Sequence, residues 1–138
     1  VSDRPDGMLV YDKEKFRYIK PYVDSIHQQI MFAEKSWGSF RVLDVEDASM
    51  TIKITLTPGH GMNYHSHENR DEVWTVISGT GHAILDGVRR DVKAGDILTM
   101  PAGCRHTVFA DSELKIIEVQ LGPAISVEDK QKYPLPQA

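Results

Sequence analysis

The sequence predicts an all-β domain, a small sandwich or barrel, on three observations. Met50 to Thr57 alternates apolar and polar residues without a fault, the pattern of a strand with one buried face. Asp86-Gly87, between Ala83-Ile84-Leu85 and the run Val88 to Val92, is the sequence of a tight two-residue hairpin. Between Trp37 and Gly122 at least seven strand-like runs follow one another at short intervals, with no long helical pattern among them. The chain's 138 residues suit one domain that buries a core without disulfide or metal staples.

Residues 1–20 are polar and charged, with Pro5-Asp6-Gly7 as a turn signal, and read as an arm. From Tyr22 to Ala33 the apolar residues Val23, Ile26, Ile30 and Ala33 recur at three- and four-residue steps, which predicts a short helix starting near Asp24 or Ser25. An edge strand at Ile30-Met31-Phe32 is the competing reading. Strands follow from Trp37. Pro58-Gly59 turns the chain after Thr57, and Glu72 to Ser78 places Glu72, Trp74 and Val76 on one face with Val73, Thr75 and Ile77 on the other. Further strands are Ile97 to Met100, His106 to Phe109 and Leu114 to Gln120. The expected organisation is an arm or short helix over 1–35, packed on the barrel or on a partner subunit, a barrel over 36–122 and a tail over 123–138.

Sixteen Lys and Arg against twenty Asp and Glu give a net charge of -4, which offers no general attraction for nucleic acid or anionic lipid. The single cysteine, Cys104, has no partner for an internal disulfide and reads as packing. No run is long or apolar enough for a signal peptide or a membrane span, so the cytoplasm is the expected compartment. The first residue is Val1, as expected of a chain that is processed, trimmed or cut from a longer one.

The chemistry concentrates between Gly59 and Gly79. His65 and His67 are two apart, so on a strand both side chains leave the same face and reach one point. Glu72 lies an odd number of residues beyond His67, so Glu68-Asn69-Arg70-Asp71 must turn the chain for Glu72 to face them. A second segment, Gly95 to His106, supplies one more histidine after a Pro/Gly turn. Three imidazoles and a carboxylate suit one divalent ion, Zn, Mn, Fe or Ni, with open positions for water or substrate.

Gly59-x5-His65-x-His67-x4-Glu72-x6-Gly79, followed by Gly95-x5-Pro101-x-Gly103-x2-His106, resembles the two paired motifs of the cupin superfamily. Ala110 replaces the asparagine that often closes the second motif. The resemblance implies a closed jelly-roll barrel, the double-stranded β-helix, with His65, His67, Glu72 and His106 as metal ligands, and a homodimer. Within that superfamily, Trp37-Gly38-Ser39-Phe40-x-Val42-Leu43, Arg70-x-Glu72-x-Trp74, Val76-x-Ser78-Gly79-Thr80, Pro101-Ala102-Gly103-x2-His106 and Ile117-Glu118-Val119-Gln120-x-Gly122 resemble type II mannose-6-phosphate isomerase cupin domains over about two thirds of the chain. Ser36, Asn63 and Val73 depart from that family's proline, glutamine and histidine, and the connection from His67 to Glu72 is two residues longer. The family's cupin is often joined to a sugar-1-phosphate guanylyltransferase domain whose Gly-rich nucleotide loop is absent from these residues. They suit the C-terminal portion of such an enzyme and are not expected to transfer nucleotides.

The resemblance implies interconversion of mannose 6-phosphate and fructose 6-phosphate through an enediolate, with the ion offsetting charge on the substrate oxygens. Catalysis then needs a proton shuttle separate from the ligands, for which His60 is the candidate; the competing reading is a solvent-exposed histidine in a Pro-Gly-His-Gly loop. Arg70 and Arg105 are the candidates for phosphate binding, and Trp74 for stacking on a sugar ring or for the core. Arg89 and Arg90 read as a solvated hairpin face. Two other functions fit the same ligands: an Fe-dependent dioxygenase, and a non-catalytic sugar or sugar-phosphate binding module.

Overall fold

The computed structural model describes residues 32–136. Eleven strands form two antiparallel sheets with no helix among the described residues. One sheet has the order β1(Phe32–Lys35), β2(Gly38–Glu46), β3(Ser49–Leu56), β10(Leu114–Leu121), β5(Asp71–Ser78), β8(Ile97–Met100). The other has the order β11(Gln131–Tyr133), β4(Tyr64–Ser66), β9(His106–Ala110), β6(Thr80–Leu85), β7(Val88–Lys93). The chain passes repeatedly from one sheet to the other, and the two inner faces enclose the core, as in the expected jelly-roll barrel.

Alternation sets which side chains go inside. In β3, Met50, Ile52, Ile54 and Leu56 are buried while the intervening residues are half-buried, and β10 buries Leu114, Ile116, Glu118 and Gln120 in the same way. These strands pair with Ile116 opposite Ile54 and Gln120 opposite Met50. On the other flank of β10 lies β5, with Glu118 opposite Trp74 and Gln120 opposite Glu72. The face expected to carry Glu72, Trp74 and Val76 is buried, whereas Ile77 is exposed. Ala83, Val92, Val108 and Ala110 close the core from the second sheet.

The Asp86-Gly87 hairpin joins β6 to β7, and both residues have positive φ, 47° and 83°, as a two-residue turn matched to strand twist requires. Gly79 turns β5 into β6 at φ 90°, where a Cβ would strike the Glu113 carbonyl oxygen.

The helix expected from Tyr22 to Ala33 lies outside the described residues except at its end. There the structure departs from it: Phe32 and Ala33 belong to edge strand β1, with Ala33 buried opposite Phe40 of β2. Sheet pairing takes precedence over the three- and four-residue spacing at these positions. The C-terminal segment returns across the barrel mouth, and its strand β11 pairs with β4 through Lys132 opposite His65. No helix of the described residues is long and apolar enough to cross a membrane.

Candidate metal centre and its cavity

Two paired strands bring the histidines together. His65 sits in β4, His67 follows that strand, and His106 opens β9 directly opposite His65. All three are buried, their ring centroids are 4.4–5.4 Å apart, and their available nitrogens lie within 4.8 Å of one another.

The hydrogen bonds on the far side of each ring set its chemistry. His65 Nδ1 donates to the Asn63 carbonyl at 2.6 Å, His67 Nδ1 to the Asp129 carbonyl at 2.6 Å, and His106 Nδ1 to the Cys104 carbonyl at 3.0 Å. In the neutral ring these bonds keep the proton on Nδ1 and turn the Nε2 lone pair toward the common centre, the tautomer a metal site demands. His106 Nε2 is buried and has no hydrogen-bond partner, an orphan that a divalent ion would satisfy. Burial, then the neighbouring His106, pushes His65 down to about 3, and burial lowers His67 despite the opposing pull of Glu72. Burial that disfavours the charged rings of His65 and His67 fits a metal, which binds imidazole in its neutral form.

Glu72 completes the cluster from β5. Its Oε2 lies 3.2 Å from His67 Nε2 and its Oε1 3.4 Å from His106 Nε2. Arg70 Nε donates to Oε2 at 2.9 Å and Trp74 Nε1 donates to Oε1 at 3.1 Å, so both carboxylate oxygens are oriented by flanking donors. Burial works against the Glu72 charge, but His106, His67 and Arg70 outweigh it and hold the carboxyl below the usual carboxylate range. Arg70 also donates to the Ser126 carbonyl at 3.0 Å and reaches His67 Nε2 at 3.2 Å. That nitrogen has one lone pair, so Arg70 Nη2 and a metal compete for it.

A cavity of about 380 Å³ opens beside the cluster. His65, His67, Arg70 and Trp74 are among its lining residues, and Trp37, Phe40 and Val42 form part of an apolar wall. Two sequence candidates lie elsewhere. His60 is exposed, with Nδ1 donating to the Pro58 carbonyl at 3.1 Å, and it is not among the cavity-lining residues. Arg105 stacks its guanidinium 3.8 Å from the Tyr133 ring centroid, next to Tyr64 and Asp86, again away from the cavity. Cys104 is buried in the core cluster, as expected of a packing residue.

Sequence reasoning assigned no role to several cavity residues. Glu118 and Gln120 project into it from β10, with Gln120 Nε2 donating to Glu118 Oε2 at 2.6 Å. Burial, then the Glu72 charge, pushes Glu118 up to about 8. The signal was present: both residues fall in step with the inward-facing Leu114 and Ile116. Lys35, Lys130 and Lys132 also line the cavity, from the two outlying strands β1 and β11 and the residue before β11. Asp129 binds the Glu68 and Asn69 backbone N–H groups at 2.8 Å each. Nothing local in the sequence marks these lysines or Asp129.

Residues 52–120, half of the chain, match the family model described as Cupin domain. This chain is a cupin. Among curated proteins it is 25% identical to the alginate biosynthesis protein AlgA of Pseudomonas putida, over 96% of this chain and 29% of that protein. It is 23% identical to a mannose-1-phosphate guanylyltransferase of Klebsiella pneumoniae, over 94% of this chain and 29% of that protein. An acireductone dioxygenase of Geobacillus thermodenitrificans is 21% identical over 84% of the cupin and 65% of its own length. The cupin thus spans 29% of the length of the first two relatives. Among solved structures, oxalate decarboxylase from Bacillus subtilis superposes with a TM-score of 0.66 at 20% identity, over 73% of this chain and 29% of that one. KdgF from a Halomonas species does so with 0.61 at 19%, over 65% and 84%. Both likenesses concern the fold.

Proposed function

We propose that this cupin is a metal-dependent, sugar-phosphate isomerase-like protein that interconverts mannose 6-phosphate and fructose 6-phosphate. The observation that carries the reading is a buried three-histidine cluster with Glu72 beside it, opening onto a cavity of small-metabolite size whose rim is cationic. Relatives named for alginate biosynthesis and mannose-1-phosphate guanylyl transfer support a hexose-phosphate setting. In this reading the domain acts as a cytoplasmic homodimer or as part of a longer sugar-nucleotide enzyme.

His65, His67 and His106, with Glu72, would hold one divalent ion of the Zn, Mn, Fe or Ni class. Such an ion supplies Lewis acidity to negative charge on substrate oxygens. The remaining work falls to the chain's own side chains. Trp74 Nε1 and Arg70 Nε fix the Glu72 carboxylate, and Trp74 also meets His106 edge to face at 5.4 Å between centroids. Trp74 thereby orients the ligands instead of offering its face to a sugar. Glu118 is the cavity carboxyl outside the ligand set, and its carboxyl oxygens are the place where a proton moving between adjacent substrate carbons is held. Lysines at the mouth, in place of Arg105, meet the phosphate.

The test is turnover of mannose 6-phosphate by chain loaded separately with each of the four metals, followed by chelation and by His65→Ala. Activity lost in both treatments is the expected result. No turnover in fully metallated protein rejects isomerisation and leaves a sugar-phosphate binding module. The 21% identity to an acireductone dioxygenase favours one second reading, an Fe-dependent oxygenase. Iron retained through purification, with oxygen uptake on a candidate substrate, is the result that would establish it.

A further inference from the structure

Gln120 is only 4% exposed and lines the cavity, yet its Oε1 has no hydrogen-bond partner among the described residues. Its amide nitrogen is committed to Glu118 Oε2, and Glu118 is itself 6% exposed. Buried amide oxygens are rarely left unpaired in folded proteins, and this one belongs to a wall that a ligand reaches. Register places the pair beside the metal cluster: Gln120 is the cross-strand neighbour of Glu72, and Glu118 that of Trp74. Lys35, Lys130 and Lys132 contribute three ammonium groups to the same lining, Lys132 as the cross-strand neighbour of His65, and Glu118 is the one carboxylate side chain among the lining residues. In a chain of net charge -4 this is a local reversal of sign.

We propose that Gln120, oriented by Glu118, is a hydroxyl-recognition subsite and that Lys35, Lys130 and Lys132 form the anion subsite of the same cavity. The ligand class is a small anionic polyol, with a hydroxyl donating to Gln120 Oε1 and a phosphate or carboxylate at the lysine rim. The apolar side chains of Trp37 and Phe40 in the same lining suit the C–H face of a sugar. This deepens the isomerase reading and rests on its cavity, but it concerns binding and holds for a non-catalytic sugar-phosphate binder as well.

Calorimetric titration of the full chain, loaded with Zn or Mn, separates the two subsites. Mannose 6-phosphate, mannose, inorganic phosphate and gluconate are the probes; the last two distinguish a phosphate rim from a carboxylate rim. Mannose 6-phosphate or gluconate should bind at least tenfold more tightly than mannose. Lys130→Gln/Lys132→Gln should remove that advantage while leaving the weak binding of mannose in place. Gln120→Met keeps the side-chain volume, removes the acceptor, and should weaken polyol anions about tenfold with inorganic phosphate unchanged. Metal content and melting temperature report that each variant is folded. Equal binding of mannose and both anions, no binding of any probe, or wild-type affinities in the two variants would overturn the proposal. Tight binding without turnover would instead refute isomerisation and leave these subsites standing.

Discussion

Replacing Asp129 by alanine tests whether the C-terminal segment builds the metal centre or merely lies near it. The Asp129 carboxylate accepts two backbone N–H bonds at 2.8 Å, from Glu68 and Asn69, while its own carbonyl receives His67 Nδ1–H at 2.6 Å. A hydrogen bond to a charged group contributes about 1.5–3 kcal/mol when water is excluded. This carboxylate is only partly buried, so we set the pair together at roughly 2 kcal/mol, which lowers the melting temperature of a domain this size by roughly 6–10 °C. A second effect is specific to the metal. Once the segment is released, His67 loses the acceptor that fixes its tautomer, and loss of such a partner typically weakens metal affinity by about 10–100-fold. Competitive Zn titration against a chromophoric chelator measures the affinity, and calorimetric melting of metal-free protein measures the stability. Glu128→Ala, an exposed neighbour whose side chain makes none of these bonds, serves as the control. An Asp129→Ala protein that melts lower but binds Zn like wild type would refute the coupling to His67; one unchanged in both would refute the role of the segment altogether.

Five other outcomes follow from the same geometry. Burial opposes the Asp129 charge, but the Glu68 and Asn69 N–H groups hold its carboxyl below the usual range. Its contribution is therefore complete above about pH 4 and disappears as acid titration passes the lowered folded value, a loss that Asp129→Ala should not show. Glu118 runs the other way in metal-free protein: with its carboxyl raised to about 8, stability falls as pH rises from about 4.5 to 8, and Glu118→Gln should flatten that slope in urea melts at several pH values. Burial, then the Asp86 carboxylate, pushes Cys104 up to about 11, so at pH 8 its alkylation by iodoacetamide should be at least about 100-fold slower than that of an unfolded control. Leu56, fully enclosed on β3, should cost about 2–5 kcal/mol when replaced by alanine, whereas Zn at a hundred times its dissociation constant should add about 2.7 kcal/mol to the wild type; denaturant melts check both.

Strand parity made most of the barrel legible. The alternation of β3 and β10 and the positive-φ hairpin at Asp86-Gly87 are local consequences of a two-residue repeat and a two-residue turn, and the sequence displays both. The same parity carries further into the site than composition suggests. Arg70 lies two residues before Glu72 and points with it toward the cavity, whereas Arg105 immediately precedes inward-facing His106 and so leaves by the opposite face, onto Tyr133. Proximity in sequence made the two arginines equivalent; direction separates them. Glu118 and Gln120 are the complementary case, polar residues at positions where the repeat demands burial, and a buried polar pair on an otherwise apolar face signals a site more strongly than an exposed histidine such as His60.

What parity could not supply came from chain return. Asp129 and Lys130 reach the site because the segment after Gly122 crosses the mouth and pairs with β4, a contact spanning 62 positions between His67 and Asp129. No local pattern encodes so long a closure. Its consequence is physical: the ligand shell depends on a segment outside the paired cupin motifs, so a protein trimmed after Gly122 would retain all three histidines and Glu72 but lose the acceptor for His67 Nδ1, the caps on Glu68 and Asn69, and two of the three lysines at the rim. A motif can therefore be complete in a chain whose metal centre is not, and the distinction can be measured as a Zn affinity that falls with the tail removed although every first-contact ligand remains.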